Sequence, residues 1–156
     1  MSEAVSNINL DTRRYPSRPL LGIGALIFDD GKLLIVERGK EPLKGYWSLP
    51  GGILEVGETL MDGIRREVLE ETGLEVEPLT VFEIFERIMP DASGKTEYHY
   101  VLIDYLCKPI GGRLQAASDV SGVAWVTRQK LAEYCLTEGT LAVVERAFAK
   151  LQLGTP

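Results

Sequence analysis

The chain has 156 residues, a formal net charge of -6 and a pI near 4.9, with 45% hydrophobic and 26% charged residues. That length suits one domain with a real core. An acidic chain has no general attraction to nucleic acid or anionic membrane, so a phosphorylated ligand would need local cations or a metal. The two cysteines, Cys107 and Cys135, lack C-x-x-C spacing and read as reduced, partly buried thiols. No apolar run reaches the roughly 18 residues of a membrane span, and the N-terminus lacks an apolar signal core. A cytoplasmic protein with neither nucleic acid nor membrane as partner is therefore expected.

Residues 1–19 are polar and carry Pro16 and Pro19, which reads as an arm before a single domain over 20–156. Within the arm, Arg13, Arg14 and Arg18 beside Tyr15 suit stacking and phosphate contact. Two β-branched-rich runs then flank Asp29-Asp30-Gly31-Lys32, the pattern of a hairpin. "GYWSLPGG" offers a short strand ended by Pro50. "TLMDGIRREVLEETG" reads as a helix, capped by Thr59, stopped by Gly73 and buried through Leu60, Ile64 and Val68. "LEVEPLTVFEIFERIMP" and "TEYHYVLIDYLCKP", joined by "DASGK", predict a second hairpin. A short strand "GVAWVT" follows, then helical segments at 128–134 and 138–151, the second with Leu141, Val144 and Phe148 on its apolar side. Strands joined by hairpins and interleaved with helices predict an α+β fold, a mixed sheet sandwiched between helices.

The first helix carries the chemistry. Glu67, Glu70 and Glu71 share one face, while Ile64 and Val68 lie on the other. Each like-charged i,i+4 pair costs a few tenths of a kcal/mol, and the last turn of a helix disfavours anions by roughly 0.3–1 kcal/mol. A hard divalent cation reverses the sign of that arrangement. A solvated, charge-laced helix end is the alternative.

The residues upstream narrow the choice. "GGILEVGETLMDGIRREVLEETGL" fits G-x5-E-x7-R-E-U-x-E-E-x-G-U, where U is a bulky apolar residue. The matches are Gly52, Glu58, Arg66, Glu67, Val68, Glu70, Glu71, Gly73 and Leu74. Chance assembly of those positions is on the order of one in ten million. The sequence resembles the Nudix hydrolase superfamily over this 23-residue box without a substitution. The preceding "YWSLPGG" and the late "VAWV" strand are similar to members of the family too.

The resemblance implies hydrolysis of a nucleoside diphosphate linked to another moiety, using water and Mg²⁺ or Mn²⁺, on a mixed sheet between helices. It implies Glu67 and Glu71 as metal ligands, with Glu70 as a ligand or water-aligning group and the Gly51 carbonyl as a further ligand. Arg66 and Glu58 correspond to the family's orienting pair. The general base is a box glutamate or an acid on a late loop. Asp119, followed here by Val120 where many relatives carry Asp-Glu, is the loop candidate, and the departure favours Glu70 or Glu67. Arg38 and Trp47 are candidate substrate contacts, the first for phosphate and the second for stacking; solvent contact and packing are their plain alternatives. His99, the lone histidine, reads as structural. The chain most resembles the ADP-ribose pyrophosphatase group, with (d)NTPs, oxidised nucleotides, dinucleotides and nucleotide sugars as other substrate classes. A non-catalytic nucleotide-binding module is the reading from a different class, and an acidic domain with a Ca²⁺-type surface site is a third. A homodimer paired through the strands at Val81–Ile88 and a monomer both fit the sequence.

Overall fold

A computed structural model describes residues 13–153. Seven strands and two α-helices follow in chain order: β1 (Leu20–Asp29), β2 (Lys32–Arg38), β3 (Trp47–Ser48), β4 (Gly51–Ile53), α1 (Leu60–Thr72), β5 (Leu74–Pro90), β6 (Thr96–Gly112), β7 (Val120–Val126) and α2 (Thr140–Leu153). A 3-10 turn, Arg128–Glu133, occupies the shorter of the late segments expected to be helical.

The β1–β2 hairpin turns at Asp30 (φ 49°) and Gly31 (φ 74°), both left-handed as its two-residue loop requires. The two strands then part. β1 runs antiparallel to β4 on one side and parallel to β6 on the other, and β2 pairs with β3 and β7. The spatial order is β3-β2-β1-β6-β5. One parallel pair among antiparallel ones makes the sheet mixed, as the sequence pattern predicts. β5 and β6 are 17 residues each, and four register shifts along their pairing bend the long ribbon around the core. β5 forms an edge, with Ile84 and Ile88 exposed on it.

Alternation along β1 sends Ile23, Ala25 and Ile27 to one face and Leu26 to the other. The first set packs with Ile64 and Val68 of α1 and with Tyr105 and Cys107 of β6. The second packs with Val143, Val144, Ala147 and Phe148 of α2. The helices thus cover opposite faces of the sheet. Leu141, expected in the buried stripe of α2, is 48% exposed instead, and Val143 and Ala147 hold the core. The helix begins two residues later than expected, after the left-handed Gly139, while Val144 and Phe148 face the sheet as expected. Of the cysteines, Cys107 is buried and Cys135 is exposed; both are free.

Arg14 and Tyr15 lie against the β5–β6 hairpin. The Tyr15 N–H donates to the Glu97 carbonyl at 2.7 Å, its hydroxyl to Asp91 at 2.7 Å, and Arg14 pairs with Glu97 at 3.1 Å. The rest of the expected arm, residues 1–12, falls outside the described residues. Among the described residues, no helix is long and apolar enough to cross a membrane.

Candidate active site

α1 is well defined at both ends. The Thr59 hydroxyl accepts from the Asp62 N–H at 3.1 Å, and Gly73 closes the helix at φ 75° with its N–H on the Leu69 carbonyl. The last carbonyls find donors on the loop after β6: Gln115 bonds Thr72, Ala117 bonds Glu71 and Arg113 bonds Gly73. No basic side chain sits in that last turn. The glutamates therefore stand on a rigid helix end whose dipole repels them.

Arg66 organises the face. Its Nε and Nη2 fork onto Glu58 at 2.9 and 2.6 Å, and Nη1 donates to Glu67 at 2.8 Å. The same nitrogen reaches Glu70 at 3.4 Å and Glu55 at 3.6 Å. Glu58 also accepts from the Glu55 N–H at 2.8 Å, so the loop before α1 is locked to the helix. The Arg66 fork, then that N–H, hold the Glu58 carboxyl down at about 2.

Glu71 is the least solvated of the group. Burial pushes its carboxyl up to about 8, against the pull of the Gly51 N–H, which donates to Oε1 at 2.7 Å. Burial also raises Glu67, opposed by Arg66. Gly52 lies so near Glu67 that a Cβ there would come within 2.4 Å of Oε1. β4 and α1 thus meet through the side chains of Glu67 and Glu71. The Glu70 carboxylate is half exposed, with Arg66 as its contact.

The structure draws Gly51, Glu58, Arg66, Glu67, Glu70 and Glu71 into one cluster. Arg38 lies at its border, within electrostatic reach of Glu71, with Nε on the Pro42 carbonyl at 2.9 Å. Asp119 also reaches Glu71 electrostatically, but its carboxylate is paired with Lys40 at 2.6 Å. Trp47 sits in the second core cluster, edge-on to Tyr134 with ring centroids 5.0 Å apart, so its ring already has a packing partner.

Three participants escaped the sequence reading. Glu55 joins the Arg66 network from the loop. Arg87 on β5 is half-buried, and burial lowers its guanidinium below its ordinary range. Asp104 on β6 is 4% exposed, its Oδ2 has no hydrogen-bond partner, and burial pushes it up to about 7. An acid inside the apolar run "VLIDYL" was the available signal for Asp104.

Among the described residues, no three acidic, histidine or cysteine side chains close into a ready metal cage, since Glu67 is turned to Arg66 and Glu71 to Gly51. The donors nonetheless fit a hard divalent cation. They are carboxylates on one helix face, and the least solvated of them, Glu71, is held so far above its ordinary range that only a positive partner would keep it ionised at neutral pH.

Comparison with known proteins decides the family. The model of the NUDIX domain matches residues 18–147. The chain belongs to the Nudix family. It is 34% identical over 111 residues to an ADP-ribose pyrophosphatase of Methanocaldococcus jannaschii, a match covering 71% of this chain and 63% of that protein. It is 30% identical over 129 residues to a human 8-oxo-dGDP phosphatase, covering 80% of this chain and 37% of the other. The chain thus spans less than two thirds of the length of these curated relatives. Among solved structures, a MutT NUDIX hydrolase from Burkholderia pseudomallei superposes with a TM-score of 0.73 at 28% identity, covering 83% of this chain and 98% of that one. The NUDIX domain of Shewanella oneidensis NrtR complexed with ADP ribose gives 0.68 at 26% identity, covering 97% and 99%.

Proposed function

We propose that this Nudix chain is a pyrophosphohydrolase that cuts a nucleoside diphosphate derivative, with ADP-ribose as leading substrate, giving AMP and ribose 5-phosphate. The observation that carries the reading is the carboxylate face of α1, braced by the Glu58–Arg66 fork and by the Gly51 N–H. Glu67, Glu71 and the Gly51 carbonyl would hold Mg²⁺ or Mn²⁺, with Glu70 beside them. When bound, the cation neutralises pyrophosphate charge and polarises the attacked phosphorus.

The chain's own groups do the rest. Arg66 fixes the direction of Glu67, and Glu58 fixes Arg66, so the ligand set is preorganised. Arg38 supplies a positive charge at the border of the cluster, where an acidic protein needs one for phosphate. A half-exposed Glu70 can take a proton from an attacking water within about 3 Å. Asp119 already answers to Lys40, which favours a box glutamate as the base. Similarity to the ADP-ribose pyrophosphatase and to the ADP-ribose-bound domain supports the leading substrate. Similarity to the 8-oxo-dGDP phosphatase supports oxidised or ordinary nucleotides as the second reading.

The test is a substrate panel with Mg²⁺: ADP-ribose, NADH, nucleotide sugars, dNTPs and 8-oxo-dGDP, with products separated. AMP plus ribose 5-phosphate, abolished by chelator, is the expected result. Release of a nucleoside monophosphate with pyrophosphate or phosphate from the nucleotides alone would favour the second reading. No cleavage of any member would remove the hydrolase assignment. Glu71→Gln should cut turnover by orders of magnitude and leave the melting temperature equal or higher, because the amide still accepts from the Gly51 N–H and never places a charge in a buried site.

A further inference from the structure

β5 ends the sheet. Its inner side pairs with β6, and among the described residues no strand pairs with its outer side. Natural edges are usually blunted by lysine, proline or a bulge, because a bare row of N–H and C=O groups invites another strand. Along β5 the register shifts between Val81 and Glu83 and again between Met89 and Pro90. Residues 83–89 between those shifts are regular and include neither lysine nor proline. That stretch is strand length in its own right.

Its two faces differ. Glu83, Phe85 and Arg87 point to the α2 side. Glu83 accepts from Arg146 of α2 at 2.6 and 2.9 Å, Phe85 packs in the second core cluster, and the Arg87 Nη2 donates to the Glu138 carbonyl in the turn before α2. Ile84, Glu86 and Ile88 point the other way and are exposed, the isoleucines by 60% and 54%. Arg87 is half-buried, yet its hydrogen bond goes to a carbonyl, and Glu138 attracts it without a salt bridge. A guanidinium taken part-way out of water is best answered by a carboxylate. The Glu83 carboxylate, with one Arg146 nitrogen on it, has acceptor capacity left for a second donor.

We infer that the β5 edge is the contact surface for a second copy of this chain, residues 83–89 pairing antiparallel with themselves about a two-fold axis at Phe85. Opposite residues of an antiparallel pair share a face, so the axis of a closed dimer passes through a residue. An axis at Glu86 sets that carboxylate against its own copy, and one at Arg87 does the same with the guanidinium. Axes at Ile84 or Ile88 oppose Glu83 to Phe85 or Arg87 to Met89. With the axis at Phe85, Glu83 faces the partner's Arg87, the reciprocal pair forms on the other side, and the two phenylalanines meet between them. On the exposed face Ile84 lies opposite the partner's Glu86 and diagonal to the partner's Ile84 and the partner's Ile88. Opposite charges and aromatic pairs across strands stabilise a sheet, and like charges destabilise it. This register gives Arg87 a carboxylate and covers both isoleucines. A chain of net charge -6 repels its copy at long range, so the attraction has to be local, and this edge supplies it.

Sedimentation velocity on the full chain across a dilution series tests the association. A dimer is expected. Glu83→Gln should weaken it about tenfold, roughly the contribution of two cross-strand charge pairs. Added NaCl should weaken the parent in the same direction and move the variant less. Cross-linking in a Cys135→Ser background reads the register, since Cys135 is exposed and Cys107 buried. Residues facing each other across an antiparallel pair have Cα atoms about 4.5 or 5.5 Å apart, within disulfide range. Ile84→Cys and Glu86→Cys change exposed positions, so both keep the fold if Glu83→Gln does not. Oxidised separately, neither should cross-link. Mixed and left to exchange subunits, they should give a covalent dimer that a reductant splits. Covalent dimers of either variant alone would put the axis at another residue and overturn the proposal. A monomer at every concentration overturns it too, and leaves the edge to a different partner. So does a dimer that ignores Glu83→Gln and yields no mixed cross-link, which would place the contact on another face.

Discussion

Arg66 forks onto Glu58 with two nitrogens and turns the third toward Glu67, so its planar geometry matters more than its charge. Arg66→Lys keeps the charge and loses the fork. Turnover should fall by roughly 10- to 100-fold and the metal concentration for half-maximal rate should rise with it; steady-state kinetics across a Mg²⁺ series checks both. An equal rate at every Mg²⁺ concentration would show that the fork positions nothing. Asp104 supports a second prediction, this one in pH. Its folded carboxyl sits at about 7 against an ordinary 3.8, so the native state holds the proton more tightly than the unfolded chain. The stability this confers is complete below about 4, falls as pH rises to about 7 and is flat above. Three units correspond to at most about 4 kcal/mol. Asp104→Asn lacks the slope, while Glu83 and Arg87 nearby act in both proteins. Denaturant midpoints at pH 5 and pH 8 should therefore diverge in favour of the variant at pH 8, and parallel midpoints would refute the buried-acid account.

At the scale of elements, what the sequence disclosed depended on how local the cause was. Thr59, Gly73 and the Asp30-Gly31 turn act within a few residues, and each stands where its local pattern puts it. The carboxylate face of α1 was legible for the same reason, since helical spacing alone puts Glu67, Glu70 and Glu71 together. The partners were not. The Gly51 N–H meets Glu71 across 20 residues and Arg87 meets Glu138 across 51, distances set by how β4 and β5 dock. Leu141 misled because it sits at the rim of the stripe: spacing from Val144 and Phe148 fits it, but the sheet covers the side that carries Val143 and Ala147. Gly52 shows docking and chemistry in one position. Its missing Cβ lets β4 approach α1 until Glu67 lies over it. Gly52→Ala would put a methyl group on that carboxylate, which must swing away. Turnover should drop at least about tenfold while the thermal midpoint stays near that of the parent, because a side-chain end moves and backbone does not. A large fall in midpoint with activity preserved per folded molecule would reverse the reading.

The whole molecule is tied together where a cation would bind. Gly51 belongs to β4, Glu67 and Glu71 to α1, and the loop 113–117 that closes α1 leads into β7. A divalent ion held by that set joins elements that the unfolded chain leaves apart, so binding contributes to folding stability directly. At 100 times the dissociation constant the contribution is about 2.7 kcal/mol. For a domain of this size, roughly 2–4 °C per kcal/mol, the melting temperature should rise by about 5–11 °C on adding Mg²⁺ or Mn²⁺ and return with chelator. Glu71→Gln removes the most desolvated carboxylate of the set. It should start at an equal or higher melting temperature without metal and lose most of the increment with it. Asp104→Asn, outside the set, should keep the increment whole. Matching salt as NaCl separates ligation from screening, because diffuse screening would act on all three proteins alike. Equal increments in the parent and in Glu71→Gln would place the cation elsewhere and leave the raised Glu71 carboxyl as a cost of packing alone.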